Sequence, residues 1–224
     1  MSDAKLLSVH TGRIVPLGPD GDLSAIVKQA VAGPVAVTAL GLQGDEQADL
    51  SAHGGPEKAV YGYGAAHYAA WKEEFPALAG MFGPGSVGEN LAIEGMVETD
   101  ICVGDVHAIG TALLQVCQPR QPCFKFALRF DNNRLPKAMV RSGRSGWYYR
   151  VLQEGVIAAG DAVTLHQRPN ADFPFARLVA LIYGGNAGVG DLRRMATLAG
   201  LAGQWQDHAR DRLRNRGGDP FAKA

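Results

Sequence analysis

The chain has 224 residues, 46% of them hydrophobic and 20% charged, and its 22 Lys and Arg residues equal its 22 Asp and Glu residues. A formal charge of zero excludes the global basic field that holds nucleic acid or an anionic membrane, so an anionic ligand must be caught locally. Three widely spaced cysteines, Cys102, Cys117 and Cys123, fit neither a disulfide framework nor a paired zinc motif, and are too few for a self-contained four-cysteine iron–sulfur cluster.

The opening segment, MSDAKLLSVHTGRIVPL, has no continuous apolar stretch behind a basic start, and no later run approaches the roughly 20 apolar residues of a membrane span. A cytoplasmic protein without membrane contact is expected. The 29 glycines favour a turn-rich fold. From Lys5 to about Leu165 they punctuate short β-like runs: LLSV, PVAVTAL, KAVYGY, GENLAI, DVHAIG, LLQVCQ, WYYRVL and AVTLHQ. Eight such runs predict a barrel or sandwich. Helical periodicity interrupts them at Ala65–Phe75 and around Arg134–Val140, which read as insertions on a β scaffold. After His166 the stretch QRPNADFP predicts a hinge. Three helical patterns follow, at Phe175–Tyr183, Val189–Leu198 and Gln204–Arg214. The expected architecture is therefore mainly β with α insertions over residues 1–168, then a small three-helix module over 169–224.

Three stretches could carry chemistry. In Gln115-Val-Cys-Gln-Pro-Arg-Gln-Pro-Cys123, a strand ends at Gln118 and two prolines stiffen the loop before a helix that begins near Cys123. A cysteine at a helix N-terminus, flanked by Arg120 and Lys125, has its thiolate favoured by the helix dipole and both cations. Cys102 and Cys117 read as small buried hydrophobes. The second stretch runs from GLQGDEQAD, residues 41–49, to HGGPEKAV, residues 53–60. Glycines before Lys58 can present N–H groups to an anion, yet the spacing is neither a Walker loop nor a dinucleotide fingerprint. Asp45, Asp49 and His53 have the chemistry of a divalent-metal set, but aspartates that cap turns are the commoner case. The third is Gly85-Ser-Val-Gly-Glu-Asn90-Leu, where Glu89 and Asn90 need polar partners; they either pin a neighbouring loop or face a ligand.

In this order, GLQGDEQAD, HGGPEKAV, GENL, VGD, LQVCQPRQPCFK and WYYRVL…GD resemble the MOSC superfamily, in its YiiM-type branch of bacterial N-hydroxylated base reductases. The resemblance covers nearly the whole chain and includes the helical tail. It implies a MOSC β-barrel that binds a molybdenum cofactor, a molybdenum pyranopterin, with Cys123 as the protein's ligand to the metal and as the catalytic residue. A soft thiolate suits such a metal. His53, Lys58, Asn90, Arg120 and Lys125 match the family's motifs and are the candidates for gripping the pterin and its phosphate.

The implied reaction is two-electron reduction of N-hydroxylated bases and related hydroxylamines to amines, a detoxification that needs an external electron-donor reductase. Within the superfamily the competing reading is sulfur transfer through a Cys123 persulfide. A non-catalytic cofactor carrier is a further alternative. The tail is open to docking a redox partner, closing over the site or pairing two copies as a homodimer. Its Arg193, Arg194, Arg210, Arg212, Arg214 and Arg216 form either a partner-facing basic surface or, more commonly, a solvated helix face.

Overall fold

The computed structural model describes residues 4–215, which form thirteen strands and seven α-helices. The strands are β1 (Lys5–Thr11), β2 (Val15–Leu17), β3 (Asp22–Ser24), β4 (Gln29–Ala30), β5 (Val35–Thr38), β6 (Gly41–Leu42), β7 (Val60–Gly64), β8 (Leu91–Glu94), β9 (Val106–Ile109), β10 (Ala112–Pro119), β11 (Trp147–Gln153), β12 (Gly155–Ile157) and β13 (Val163–Gln167). The helices are α1 (Leu50–His53), α2 (Ala66–Glu74), α3 (Phe124–Phe130), α4 (Leu135–Ser142), α5 (Phe175–Gly184), α6 (Val189–Ala196) and α7 (Gly203–Asn215). No helix among the described residues is long and apolar enough to cross a membrane.

All eight β-like runs are strands. Seven of them form one sheet in the order β13-β9-β10-β11-β7-β8-β1, with the two-residue β4 added at the edge. PVAVTAL departs from this set: its β5 pairs with β12 and β6 in a separate three-stranded sheet. The large sheet closes on itself. Lys5 bridges Ala162, Leu6 N–H donates to Asp161 O at 2.8 Å, and Gly160 N–H donates to Leu6 O at 2.7 Å. Closure leaves few unpaired edges.

Strand β7 shows how sequence divides the core. Successive side chains point to opposite faces, so Val60 joins the apolar cluster with Leu91, Ile93, Leu114 and Val116. Tyr61 and Tyr63 face the other way, into an aromatic cluster with Trp71, Phe82, Phe126 and Phe130 from the inserted helical region. Both faces are covered, as the uniformly buried VYGYG run requires of a strand paired in parallel with β8. A Cβ on Gly62 would lie 3.0 Å from the Trp147 ring nitrogen, so the glycine lets the rings of β11 pack closely here.

The QRPNADFP stretch is a packed strap, not a hinge. Arg168 pairs with the fully buried Asp105 at 2.7 Å. The Asn170 amide donates to Val103 O at 2.7 Å and Ala199 O at 2.8 Å, and Phe173 is buried. Consequently Phe175, Leu178, Leu192, Met195, Trp205 and Leu213 of the tail helices share one apolar core with the barrel. Three of the tail arginines, Arg194, Arg210 and Arg214, pair with Asp172, Asp207 and Asp211, while Arg212 donates to Gly185 O at 2.8 Å and Arg193 is exposed. Arg216 lies outside the described residues.

Candidate functional site

All six residues singled out in the sequence, His53, Lys58, Asn90, Arg120, Cys123 and Lys125, line one open cleft with a cavity volume of ≈ 90 Å³. They arrive from separate places: the end of α1, the 3-10 turn Pro56–Lys58, the residue before β8, and the loop that joins β10 to α3. The cleft also takes in Lys28, Asp45, Tyr61 and Tyr148.

Its floor is built on Asp45, whose side chain is 2% exposed. One carboxylate oxygen accepts Gly12 N–H at 2.7 Å and Lys28 Nζ at 2.5 Å, and the other accepts Asn90 Nδ2 at 2.8 Å. The second amide proton of Asn90 goes to His10 O at 3.1 Å, while its oxygen accepts Tyr61 N–H at 3.0 Å. An asparagine has two N–H donors. Both are committed, so Asn90 pins the floor and has no donor left for a ligand. Its neighbour Glu89 does the same one turn earlier: it accepts from Gly85 N–H at 2.6 Å, Val87 N–H at 3.0 Å and the Tyr68 hydroxyl. Burial pushes Glu89 up to about 7. Among the described residues, no group of three His, Cys, Asp or Glu side chains is arranged to hold a metal ion, so Asp45, Asp49 and His53 do not form one.

Arg120 is buried, with its guanidinium 5.2 Å from the centroid of the Tyr61 ring and 5.1 Å from that of Phe126. One Nη donates to Val87 O. No carboxylate among the described residues forms an ion pair with it. Burial works against its charge, but the Tyr61 and Tyr148 phenols and the Cys123 sulfur more than offset that, so its pKa is raised. A buried cation without a counter-charge, opening on a cleft, is a site that suits an anion.

Cys123 is the N-cap of α3 in extended backbone, and Pro122 keeps Gln121 before it out of the helical region. Burial raises its thiol, but a hydrogen bond from His53, the Arg120 charge and the Lys125 amide outweigh burial and bring it down to about 7. The other two thiols behave oppositely. Burial pushes Cys117 up to about 12 and raises Cys102 as well. The single S–H of Cys117 is shared between Glu57 O at 3.0 Å and Tyr148 O at 3.3 Å, which makes it a structural link.

Two further cations border the cleft. Burial lowers the pKa of Lys58, with Glu57, Cys117 and Asp49 opposing the shift. Lys125 Nζ reaches across to Leu23 O at 2.7 Å, at the rim. The tail braces these loops from behind. Glu57 accepts Gly203 N–H at the start of α7 at 3.0 Å and pairs with Arg150 at 2.5 Å. Gln118 accepts from Gln204 and from Trp205 Nε1, the latter at 3.1 Å. The Tyr183 hydroxyl of α5 donates to Arg120 O.

Sequence reasoning missed Lys28, Tyr61 and Tyr148. Tyr61 and Tyr148 stand opposite each other on paired strands, ring centroids 5.0 Å apart. Their alternation in VYGYG and WYYRV is the signal that places them on one face. Lys28 carries no such signal, because its role depends on Asp45, 17 residues away.

The sheet-rich fold is that of a MOSC protein, and the MOSC domain family matches residues 49–164. The YiiM-like, 3-alpha helix domain matches residues 174–216. The chain belongs to the MOSC family, in its YiiM-type branch. It is 37% identical over 199 residues to protein YiiM of Escherichia coli, covering 89% of this chain and 88% of that one. A protein named "Reductase" from Gibberella moniliformis is 38% identical over 212 residues, covering 94% of this chain but 37% of that longer one. The crystal structure of YiiM from Geobacillus stearothermophilus superposes with a TM-score of 0.79 at 33% identity, covering 94% of this chain and 99% of that one. MOSC domains as a class are associated with molybdenum cofactor binding.

Proposed function

We propose that the chain is an oxidoreductase that holds a molybdenum cofactor in the Cys123 cleft and reduces N-hydroxylated bases and related hydroxylamines to amines. The observation that carries this is the pairing of Arg120 with Cys123: a buried cation without a carboxylate partner beside a thiol disposed to ionise. Together they fit a group that is anionic at one end and presents a thiophilic metal at the other.

Cys123 supplies the thiolate, and His53 hydrogen-bonds it, fixing the direction of the sulfur lone pairs. Arg120, Lys58 and Lys125 hold the phosphate and polar edges of the pterin; Asn90 acts one step back, through Asp45. The Tyr61 and Tyr148 rings, tilted against each other, form an aromatic wall of the cleft. The cofactor supplies the two-electron couple for R–NHOH + 2 e⁻ + 2 H⁺ → R–NH₂ + H₂O. In this reading residues 1–168 are the cofactor-binding barrel, and the residues from 169 onward are the module that braces it.

The test is expression in cells that make the cofactor, with measurement of molybdenum, pterin and N-hydroxylaminopurine reduction. Stoichiometric molybdenum and turnover are expected. The Cys123→Ala variant keeps its fold but loses metal and activity, and full activity in that variant overturns the assignment. The hydrogen bond from His53 to the Cys123 sulfur also suits a nucleophile. Purified protein that transfers sulfur and never holds molybdenum therefore establishes the persulfide reading, and one that holds cofactor without turnover is a carrier.

A further inference from the structure

Charge is neutral over the whole chain but not along it. Seven of the 22 Lys and Arg residues, and only one of the 22 Asp and Glu residues, fall within residues 120–144, so the remainder carries six more acids than bases. This segment is the Cys123 loop followed by α3 and α4. Two of the seven, Arg120 and Arg144, are turned inward. Arg129 is half-buried against the Phe130 ring, and the remaining four reach the surface in a defined pattern.

Helix α4 buries Leu135, Ala138 and Met139 on one side. Arg134, Lys137 and Arg141, at positions i, i+3 and i+7, stand on the other, all exposed, with the exposed Val140 beside them. Glu74 meets Arg141 at 2.5 Å, yet that arginine side chain remains 70% exposed. On α3, Phe124 is 57% exposed immediately after Cys123, and Lys125 stands at the cleft rim. A cationic surface interleaved with two exposed apolar side chains thus runs from the mouth of the cleft onto α4.

The tail arginines make a contrast. On α6 and α7, Arg194, Arg210 and Arg214 each pair with an aspartate close by. The thiols offer no internal electron store either: Cys102 and Cys117 are buried and held protonated. Electrons for the cleft must come from outside the chain.

We propose that the basic face of α4, continued by Phe124 and Lys125 of α3, is the docking surface for an acidic electron-carrier protein. This rests on the reductase reading of the cleft. Opposite charge steers encounter while a small apolar contact sets the orientation, which suits the small, short-lived interfaces of electron-transfer complexes. Three exposed cations, one of them paired with Glu74, are few for nucleic acid, where a protein contacting about six to ten phosphates shows the steep salt dependence of such binding.

The experiment uses the cofactor-loaded full chain and two acidic probes, a flavodoxin and a [2Fe–2S] ferredoxin. Binding to at least one is expected, weakening steeply with salt. Arg134→Glu combined with Lys137→Glu should lower affinity and protein-driven turnover about tenfold at low salt. Reduced methyl viologen, too small to need a docking face, should still drive N-hydroxylaminopurine reduction within about twofold of the unmodified protein. The milder Arg134→Gln, Lys137→Gln pair, with an unchanged melting temperature, should show an intermediate loss. The proposal is overturned if neither probe binds, if both charge variants bind and turn over like the parent, or if a DNA duplex binds more tightly than either probe. Absence of turnover with methyl viologen in the parent removes the reductase reading instead, and the binding titration still decides the surface.

Discussion

The Tyr183 hydroxyl on α5 donates to the backbone carbonyl of Arg120, so a helix of the tail holds the loop that carries Cys123 three residues later. Tyr183→Phe removes that donor and leaves a carbonyl without a partner. A loss of about 1 kcal/mol is expected, or roughly 2–4 °C in melting temperature for a chain of this size. Molybdenum retained through gel filtration should fall as well, because the loop is less well held. A melt and a metal assay on the same preparation check both.

The three thiols should differ sharply towards an alkylating reagent. With Cys123 brought down to about 7 and Cys117 pushed up to about 12, iodoacetamide at neutral pH labels Cys123 in the folded, cofactor-free protein and spares the other two. Peptide mass spectrometry reads this directly. Labelling of Cys117 before unfolding contradicts the burial described above.

Arg120→Lys is not a conservative change. The planar guanidinium lies against Tyr61 and Phe126 while donating to Val87 O, and an ammonium cannot spread across two rings and fork towards an anion. Cofactor occupancy should drop about tenfold or more, the equivalent of at least roughly 1.4 kcal/mol. Pterin content per mole of protein, measured after release and oxidation, is the readout, with circular dichroism to show that the fold is kept.

His107 sets an acid limit on stability. It is 1% exposed, its Nδ1 lies 2.8 Å from the Tyr149 hydroxyl, and burial lowers it to about 4. Because the folded pKa is depressed, the folded state favours the neutral ring. Its contribution is complete above the unfolded value of about 6.5 and is lost as pH falls towards 4, to the extent of about 3 kcal/mol. Urea unfolding at several pH values should show this decline in the parent chain. His107→Gln, which cannot charge, should show a flatter profile between pH 6.5 and 4.

Much of this was legible in the sequence, for physical reasons. Runs such as VYGYG and LLQVCQ became strands because alternation and β-branched or aromatic residues report a pleated, buried surface locally. Cys123 could be placed at a helix start because prolines act on the residues next to them. What could not be read depends on distant partners. The two-residue strands β4 and β6 exist only because β1 and β5 lie alongside. Asn90 offered two readings, a loop pin or a ligand contact, and only the position of Asp45 across the cleft decides between them. The excess of bases over residues 120–144 is visible in the sequence, but that Arg134, Lys137 and Arg141 share the exposed side of α4 follows only once Leu135, Ala138 and Met139 are seen to be buried; the tail arginines are equally numerous, yet Arg194, Arg210 and Arg214 pair with aspartates.

The contact between Glu57 and Gly203 spans 146 residues of chain. During synthesis the cleft loop at residue 57 leaves the ribosome long before the start of α7 that fixes it, and pairings of such separation form slowly. A newly made chain therefore cannot complete its cleft until α7 has been synthesised. The brace makes cofactor capture conditional on that helix: a product cut short before α7 retains every cleft residue yet lacks the means to hold them.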